Sequence, residues 1–103
     1  MGAIHVRSPE AGRDLDEIFL WIAREASEAR AIKVIRRLEA KFQMIAEFPG
    51  IGRRRDMAGG LLGASEPPWI ILYEALVGRS GVRILRVVDG RRDLPTVLGK
   101  TDQ

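Results

Sequence analysis

The sequence predicts an α+β fold, with an N-terminal strand, an antiparallel helical hairpin and then a three-stranded antiparallel sheet, the helices covering one sheet face. Three observations predict it. Two long segments carry apolar residues at helical spacing and are joined by only a few residues. At Pro49 the helical period stops. Two runs rich in β-branched and aromatic residues then follow, separated by a Gly78–Gly81 turn.

Residues 3–7, Ala-Ile-His-Val-Arg, read as a short strand. Ser8, Pro9 and Glu10 form a helix start: a capping hydroxyl, a proline at the first helical position and an acid in the first turn. Leu15, Ile18, Phe19 and Ile22 continue it to about residue 25 at i, i+3, i+4, i+7 spacing. Asp14, Glu17 and Arg24 fall off that stripe and are expected to face water, with Trp21 at its edge. Ser27 caps a second helix over 28–47, whose seam is Ala31, Ile35, Leu38, Phe42 and Ile45. Phe48, Pro49 and Gly50 end it.

The glycines and arginines of 50–60 suit a loop, followed by a short irregular strand near 61–66. Residues 69–76, WIILYEAL, form the strongest strand by residue type, and Pro67-Pro68 bar the sheet ladder just before it. Residues 82–88, VRILRVV, pair with it as a hairpin. Strict alternation would place Arg83, Leu85 and Val87 on one face of this strand and Val82, Ile84, Arg86 and Val88 on the other. Nothing in sequence remains to cover the second sheet face, so that face is expected to be partly open.

The chain has 103 residues, which suits a single domain over 1–103. With 46% hydrophobic and 30% charged residues it can fold on packing alone. It has no cysteine, so disulfides and thiolate chemistry are excluded. No apolar run suits a membrane span and the N-terminus lacks a signal-peptide layout, which points to the cytoplasm. Residues 1–49 hold eight basic and eight acidic side chains, whereas residues 50–103 hold nine and six. The excess of +3 therefore lies in the second half, and eight of its nine cations are arginine, the cation best suited to bidentate contact with carboxylate or phosphate.

His5 is the only histidine and reads as a strand surface residue; with no cysteine beside it, no metal site is expected. The glycine pairs match no phosphate loop. Asp14 and Glu17 share a helix face but sit in the first turns, where acids are favoured for structural reasons. Arg86 stands between apolar neighbours, so it either lines the open face or pairs with Glu74 or Asp89. Arg91-Arg92-Asp93 lies just beyond the strand end, and Arg53-Arg54-Arg55 is expected to cluster with it. Trp69 and Tyr73 share a strand face, as core or as an aromatic contact platform.

Four motifs then stand in order: Asp14-Leu15-Asp16-Glu17-Ile18, Pro49-Gly50-Ile51-Gly52-Arg53, a strand ending near Tyr73, and Ile84-Leu85-Arg86-Val87-Val88-Asp89-Gly90-Arg91-Arg92-Asp93. Together, over residues 4–98, they resemble the ParE branch of the RelE/ParE toxin superfamily. The resemblance implies a toxin encoded beside an antitoxin that wraps it. It also implies a target, which is DNA gyrase in ParE-like members and ribosome-bound messenger RNA in RelE-like ones. ParE-like chains often carry histidine where Asp89 stands, so no role is carried over to that position.

RNA cleavage needs groups that move protons, and RelE-like nucleases carry a tyrosine or histidine near the C-terminal end. Here residues 91–98 hold no tyrosine, histidine or lysine, and arginine is a poor proton shuttle. The expectation is an inhibitor that acts by binding, with no catalytic residue, metal or cofactor. The target-binding residues would be Arg86, Arg91, Arg92 and Asp93, supported by Arg53, Arg54 and Arg55, with Asp93 orienting an arginine. The antitoxin would contact Trp69, Tyr73, Arg83 and Arg86. The alternatives are a ribosome-dependent endoribonuclease and a non-toxic module binding a partner or nucleic acid.

Overall fold

A computed structural model describes residues 2–55 and 61–91, with residues 53–55 described by their backbone only. The elements are β1 (Ile4–Arg7), α1 (Pro9–Glu25), α2 (Glu28–Glu47), a 3-10 turn (Pro49–Ile51), β2 (Arg53–Arg55), β3 (Leu61–Glu66), β4 (Trp69–Ala75) and β5 (Gly81–Asp89). The helix boundaries are those the sequence predicts. The Ser8 hydroxyl oxygen accepts from the Ala11 amide at 3.0 Å, and that of Ser27 from the Arg30 amide at 3.1 Å.

The sheet is larger than the predicted three strands. Its order is β1-β5-β4-β3-β2. β1 adds to one side, parallel to β5, and Arg53–Arg55, read from sequence as loop, form an antiparallel edge strand on β3. Such a short strand is invisible to period counting, because three residues do not make an alternation. Pro67-Pro68 are the two-residue turn of the β3–β4 hairpin, since Glu66 pairs with Trp69 across them. The β4–β5 turn places Gly81 at φ 135°, where a side chain would also collide with the Ile4 carbonyl.

Both helices lie on one face. Leu15, Ile18 and Ile22 of α1 and Leu38, Phe42 and Ile45 of α2 bury against Ile71, Tyr73, Val82 and Ile84. Emptying the centre of this core, for example by Phe42→Ala, would cost about 3–5 kcal/mol.

Two expectations are corrected here. The face away from the helices is not open at its centre: Leu61, Leu72 and Val88, on three neighbouring strands, form a buried apolar cluster with Ile70 and Leu85 packed against it. The alternation along β5 also breaks. Val82, Ile84 and Val87 belong to the helix-side core, while Leu85 and Val88 belong to the other cluster. An irregularity between Leu72 and Tyr73, opposite Ile84 and Arg86, inserts one residue into β5 and reverses the phase beyond it.

His5 is likewise not a free surface residue. Its ring meets Phe42 edge-on at 5.6 Å, and its Nδ1 is enclosed without a hydrogen-bond partner. Burial lowers its pKa, helped by the charge of Arg7 and opposed by Glu39.

A candidate partner-binding groove beside β5

The groove begins where β1 stops. At Ser8 the chain leaves the sheet: its amide donates to the Ile84 carbonyl at 2.9 Å and its hydroxyl to the Leu85 carbonyl at 2.8 Å. Beyond that point α1, not a strand, flanks β5. Asp14 reaches across and takes the role a strand carbonyl would have. Its Oδ2 accepts the Val87 amide at 2.9 Å and Arg86 Nε at 2.8 Å, and its Oδ1 accepts Arg86 Nη2 at 3.1 Å. This hydrogen bonding raises the Arg86 pKa, against a smaller opposing effect of burial; the charges of Asp14, Glu10 and Glu17 add to the rise. The cation is thus fixed in place by a bidentate partner on the helix.

Leu20 and Trp21 stand above this pair on α1, 58% and 52% exposed. With Trp69, Arg86 and Arg91 they line a groove of about 590 Å³. A second hollow of about 430 Å³ shares Trp21, Trp69 and Arg91 and extends past Val34 and Arg37 of α2 to Pro67-Pro68. Two further cations along this path, Arg91 and Arg37, hold acids of their own. Arg91 donates from Nε and Nη2 to the Asp89 carboxylate at 2.9 and 2.6 Å, and Arg37 lies 3.0 Å from Glu66. The Asp89 hydrogen bonds raise the Arg91 pKa. What the groove offers a partner is therefore mixed: two indole rings and a leucine, edged by the Asp14–Arg86 and Asp89–Arg91 pairs and by Glu17 and Arg24.

Comparison with known proteins fixes the context. Residues 6–94 match the family model for the ParE toxin of type II toxin–antitoxin systems, parDE. The chain belongs to the ParE toxin family. It is 37% identical over 105 residues to Toxin ParE3 of Caulobacter vibrioides, a match covering 97% of this chain and 98% of that protein. Its fold is similar to a chain of a chromosomal ParDE system from P. aeruginosa, with a TM-score of 0.71 and 17% identity, covering 84% of this chain and 95% of that one.

In this ParE-family chain the groove gathers three of the residues picked out from sequence, Arg86, Arg91 and Trp69. Arg86 pairs with Asp14, not across the strand with Glu74, whose carboxylate lies 3.8 Å from Arg83. Arg92 and Asp93 lie outside the described residues. Arg53 shares a sheet row with Gly63, Leu72 and Arg86. Three strand spacings, about 14 Å, separate the two ends of that row, and Arg86 is turned to α1, so the described atoms form no joint arginine cluster. Arg83 is exposed between Val82 and Ile84, which face the helices, so it projects from the opposite face, outside the groove.

For Tyr73 the core reading holds and the contact-platform reading is corrected. The side chain is fully buried and cannot be a contact platform; its hydroxyl donates to the Pro49 carbonyl and accepts the Gly52 amide at 3.0 Å. Burial raises its pKa. The sequence reading puts Asp14 in water, whereas the structure turns it onto Arg86 and the Val87 amide of β5; it leaves Trp21 at the edge of the α1 stripe and does not single out Leu20. A signal for Asp14 was present: it sits three residues after Ala11 and four before Ile18, both buried, so it borders the core stripe of α1. Among the described residues no group of three or more His, Cys, Asp or Glu is placed to hold a metal ion, and no helix is long and apolar enough to cross a membrane.

Proposed function

We propose that this chain is a cytoplasmic toxin that inhibits DNA gyrase by binding, and that a cognate antitoxin neutralises it by laying an apolar segment into the groove. The observation that carries the antitoxin half is the exposure of Leu20 and Trp21 beside Trp69, in a groove where Arg86 and Arg91 already have acidic partners. Affinity there comes from covering apolar surface, with Arg86 and Arg91 setting register. Membership of a family described by its toxin–antitoxin pairing supports such a partner.

The gyrase half rests on the ParE-like motifs and on chemistry. RNA cleavage needs a group that can give and take a proton at the scissile phosphate. The hydroxyl of Tyr73, the only tyrosine, is buried and occupied by Pro49 and Gly52. His5 packs on Phe42 with one ring nitrogen enclosed. Neither is offered to a substrate, which favours inhibition by binding over ribonuclease action.

The deciding experiment is a gyrase supercoiling assay with the purified chain, with and without the product of the neighbouring antitoxin gene. The chain alone should block supercoiling and the antitoxin should restore it. Unaltered supercoiling, together with cut transcripts in expressing cells, would overturn the gyrase half in favour of the ribonuclease. For the groove, Trp21→Ser should weaken antitoxin binding by about tenfold or more while leaving the melting temperature nearly unchanged. Unchanged affinity would remove the groove from the antitoxin interface.

A further inference from the structure

The acids and bases that cancel over residues 1–49 are not shared evenly by the two helices. α1 carries two basic and five acidic side chains, whereas α2 carries five basic and three acidic. Arg30, Lys33, Arg37 and Lys41 of α2 recur at spacings of three, four and four residues, which puts them on one flank of the helix.

Tertiary contacts show where that flank looks. Arg37 reaches Glu66 of β3 at 3.0 Å, so the cations lie on the side of the β3–β4 hairpin. The acids of α2 lie elsewhere. Glu39 reaches Arg7 of β1 at 2.6 Å, at the other side of the sheet. Glu47 is held by Gln43, which also donates to the Ala3 carbonyl beside β1, and Glu28 stands in the first turn. Arg36, three residues from both Lys33 and Glu39, stands between the two flanks.

Arg30, Lys33 and Arg37 are exposed and Lys41 is half-buried. Among the described residues, Arg37 alone of the four holds a carboxylate. The other acid on this side is Glu25 of α1, which lines the second hollow with Arg30 and Arg37. Arg86 and Arg91 are each satisfied by a neighbour, but Arg30, Lys33 and Lys41 leave their charge available to a polyanion.

We propose that this flank of α2 binds the phosphate backbone of double-stranded DNA without reading its sequence. Lys33, Arg37 and Lys41 rise about 6 Å from one to the next, and a duplex offers a phosphate about every 3.4 Å of its axis on each strand, so the row meets several phosphates at once. No large exposed apolar residue lies between Lys33 and Lys41, so the row lacks the centre of a protein interface. It also lacks a ring to stack on splayed bases, since Phe42 is fully buried, which favours a duplex over a single strand. The proposal goes beyond the gyrase reading and does not depend on it, because its ligand is bare DNA.

The test uses the full chain, co-expressed with its antitoxin and released from it, titrated by fluorescence anisotropy into a labelled duplex of about two helical turns and into its single strand. With about three phosphate contacts, the logarithm of affinity should fall against that of salt with a slope of about −3, a loss of about fortyfold between about 50 and 200 mM, whatever the duplex sequence. Lys33→Gln and Lys41→Gln should each lower the slope by about one, and the double variant should bind about tenfold more weakly at low salt, with an unchanged melting temperature. Arg79→Gln, which removes a positive charge from the β4–β5 turn, should leave both quantities unchanged. A parent that does not bind the duplex, or lysine variants that bind as the parent does, would overturn the proposal. An equal loss in Arg79→Gln would trace binding to net charge, tighter binding of the single strand would assign the row to unpaired nucleic acid, and weakened antitoxin binding with intact DNA binding would assign it to the antitoxin; each overturns the proposal.

Discussion

The groove beside β5 and the corner before β2 use buried polar groups in opposite ways. In the groove a charged pair is the fixed part: Asp14 holds Arg86 and the Val87 amide, and the indoles of Trp21 and Trp69 stand above it. At the corner a neutral hydroxyl is the fixed part, and Tyr73 holds Pro49 and Gly52 while Phe48 and Ile51 project outward. In both places the polar group faces inward and the apolar group faces solvent, the reverse of ordinary burial. Exposed apolar surface on a rigid support is what a partner can cover, whereas an exposed arginine already holding a carboxylate adds little unless the partner exchanges that acid. For the described arginines, what each one already holds weighs more than how many there are.

Removing the charged anchor should have the largest effect. Asp14→Ala leaves Arg86 and the Val87 amide without their acceptor and should cost about 2–3 kcal/mol, less than a fully buried pair because Arg86 retains some solvent access. Thermal denaturation should show a fall of about 10 °C or more. Arg86→Ala should cost less, since the Asp14 carboxylate keeps the Val87 amide, and a double-mutant cycle should return a coupling of about 1 kcal/mol or more between the two. Additive single effects would mean that the pair is incidental, and the contrast between the two regions would fail on the groove side.

Tyr73→Phe tests the neutral anchor. It keeps the ring but leaves the Gly52 amide and Pro49 carbonyl unpaired, for about 1–2 kcal/mol in chemical denaturation. Gly52→Ala attacks the same contact from the other side and should cost about 1–2 kcal/mol through collision with the hydroxyl. In the Tyr73→Phe background the extra cost of Gly52→Ala should shrink, because the atom it strikes is gone. An undiminished cost would place the clash elsewhere.

His5 belongs to neither region and gives the smallest effect. Its folded pKa lies below 6.5 because burial disfavours the charged ring, so below pH 6.5 the unfolded chain binds more protons than the folded one. Stability should therefore fall as the pH drops from 6.5 toward the folded pKa. His5→Phe should flatten that part of a denaturation-against-pH profile, and an unchanged profile would mean that the acid sensitivity comes from the carboxylates.

Much of this molecule was legible before any coordinates. Ser8 and Ser27 are short-range signals that act within three residues, so both helix starts follow from sequence, and the apolar stripes of α1 and α2 identify their buried faces. The strands of the β4–β5 hairpin follow from residue type. The Pro-Gly-x-Gly-Arg element of residues 49–53 was visible as part of a family pattern, but not as a corner pinned by a buried hydroxyl.

What sequence could not supply are the facts that depend on residues meeting across the fold. Asp14 and Arg86 are 72 positions apart, and Tyr73 and Gly52 are 21 apart. The extra residue in β5, which reverses the faces of everything after it, leaves no mark in the pattern of apolar residues. The physical reason is range. Caps, periods and turns are set by neighbours along the chain, whereas the partner of a charge or a hydroxyl is whatever the packed helices and strands bring within about 3 Å of it.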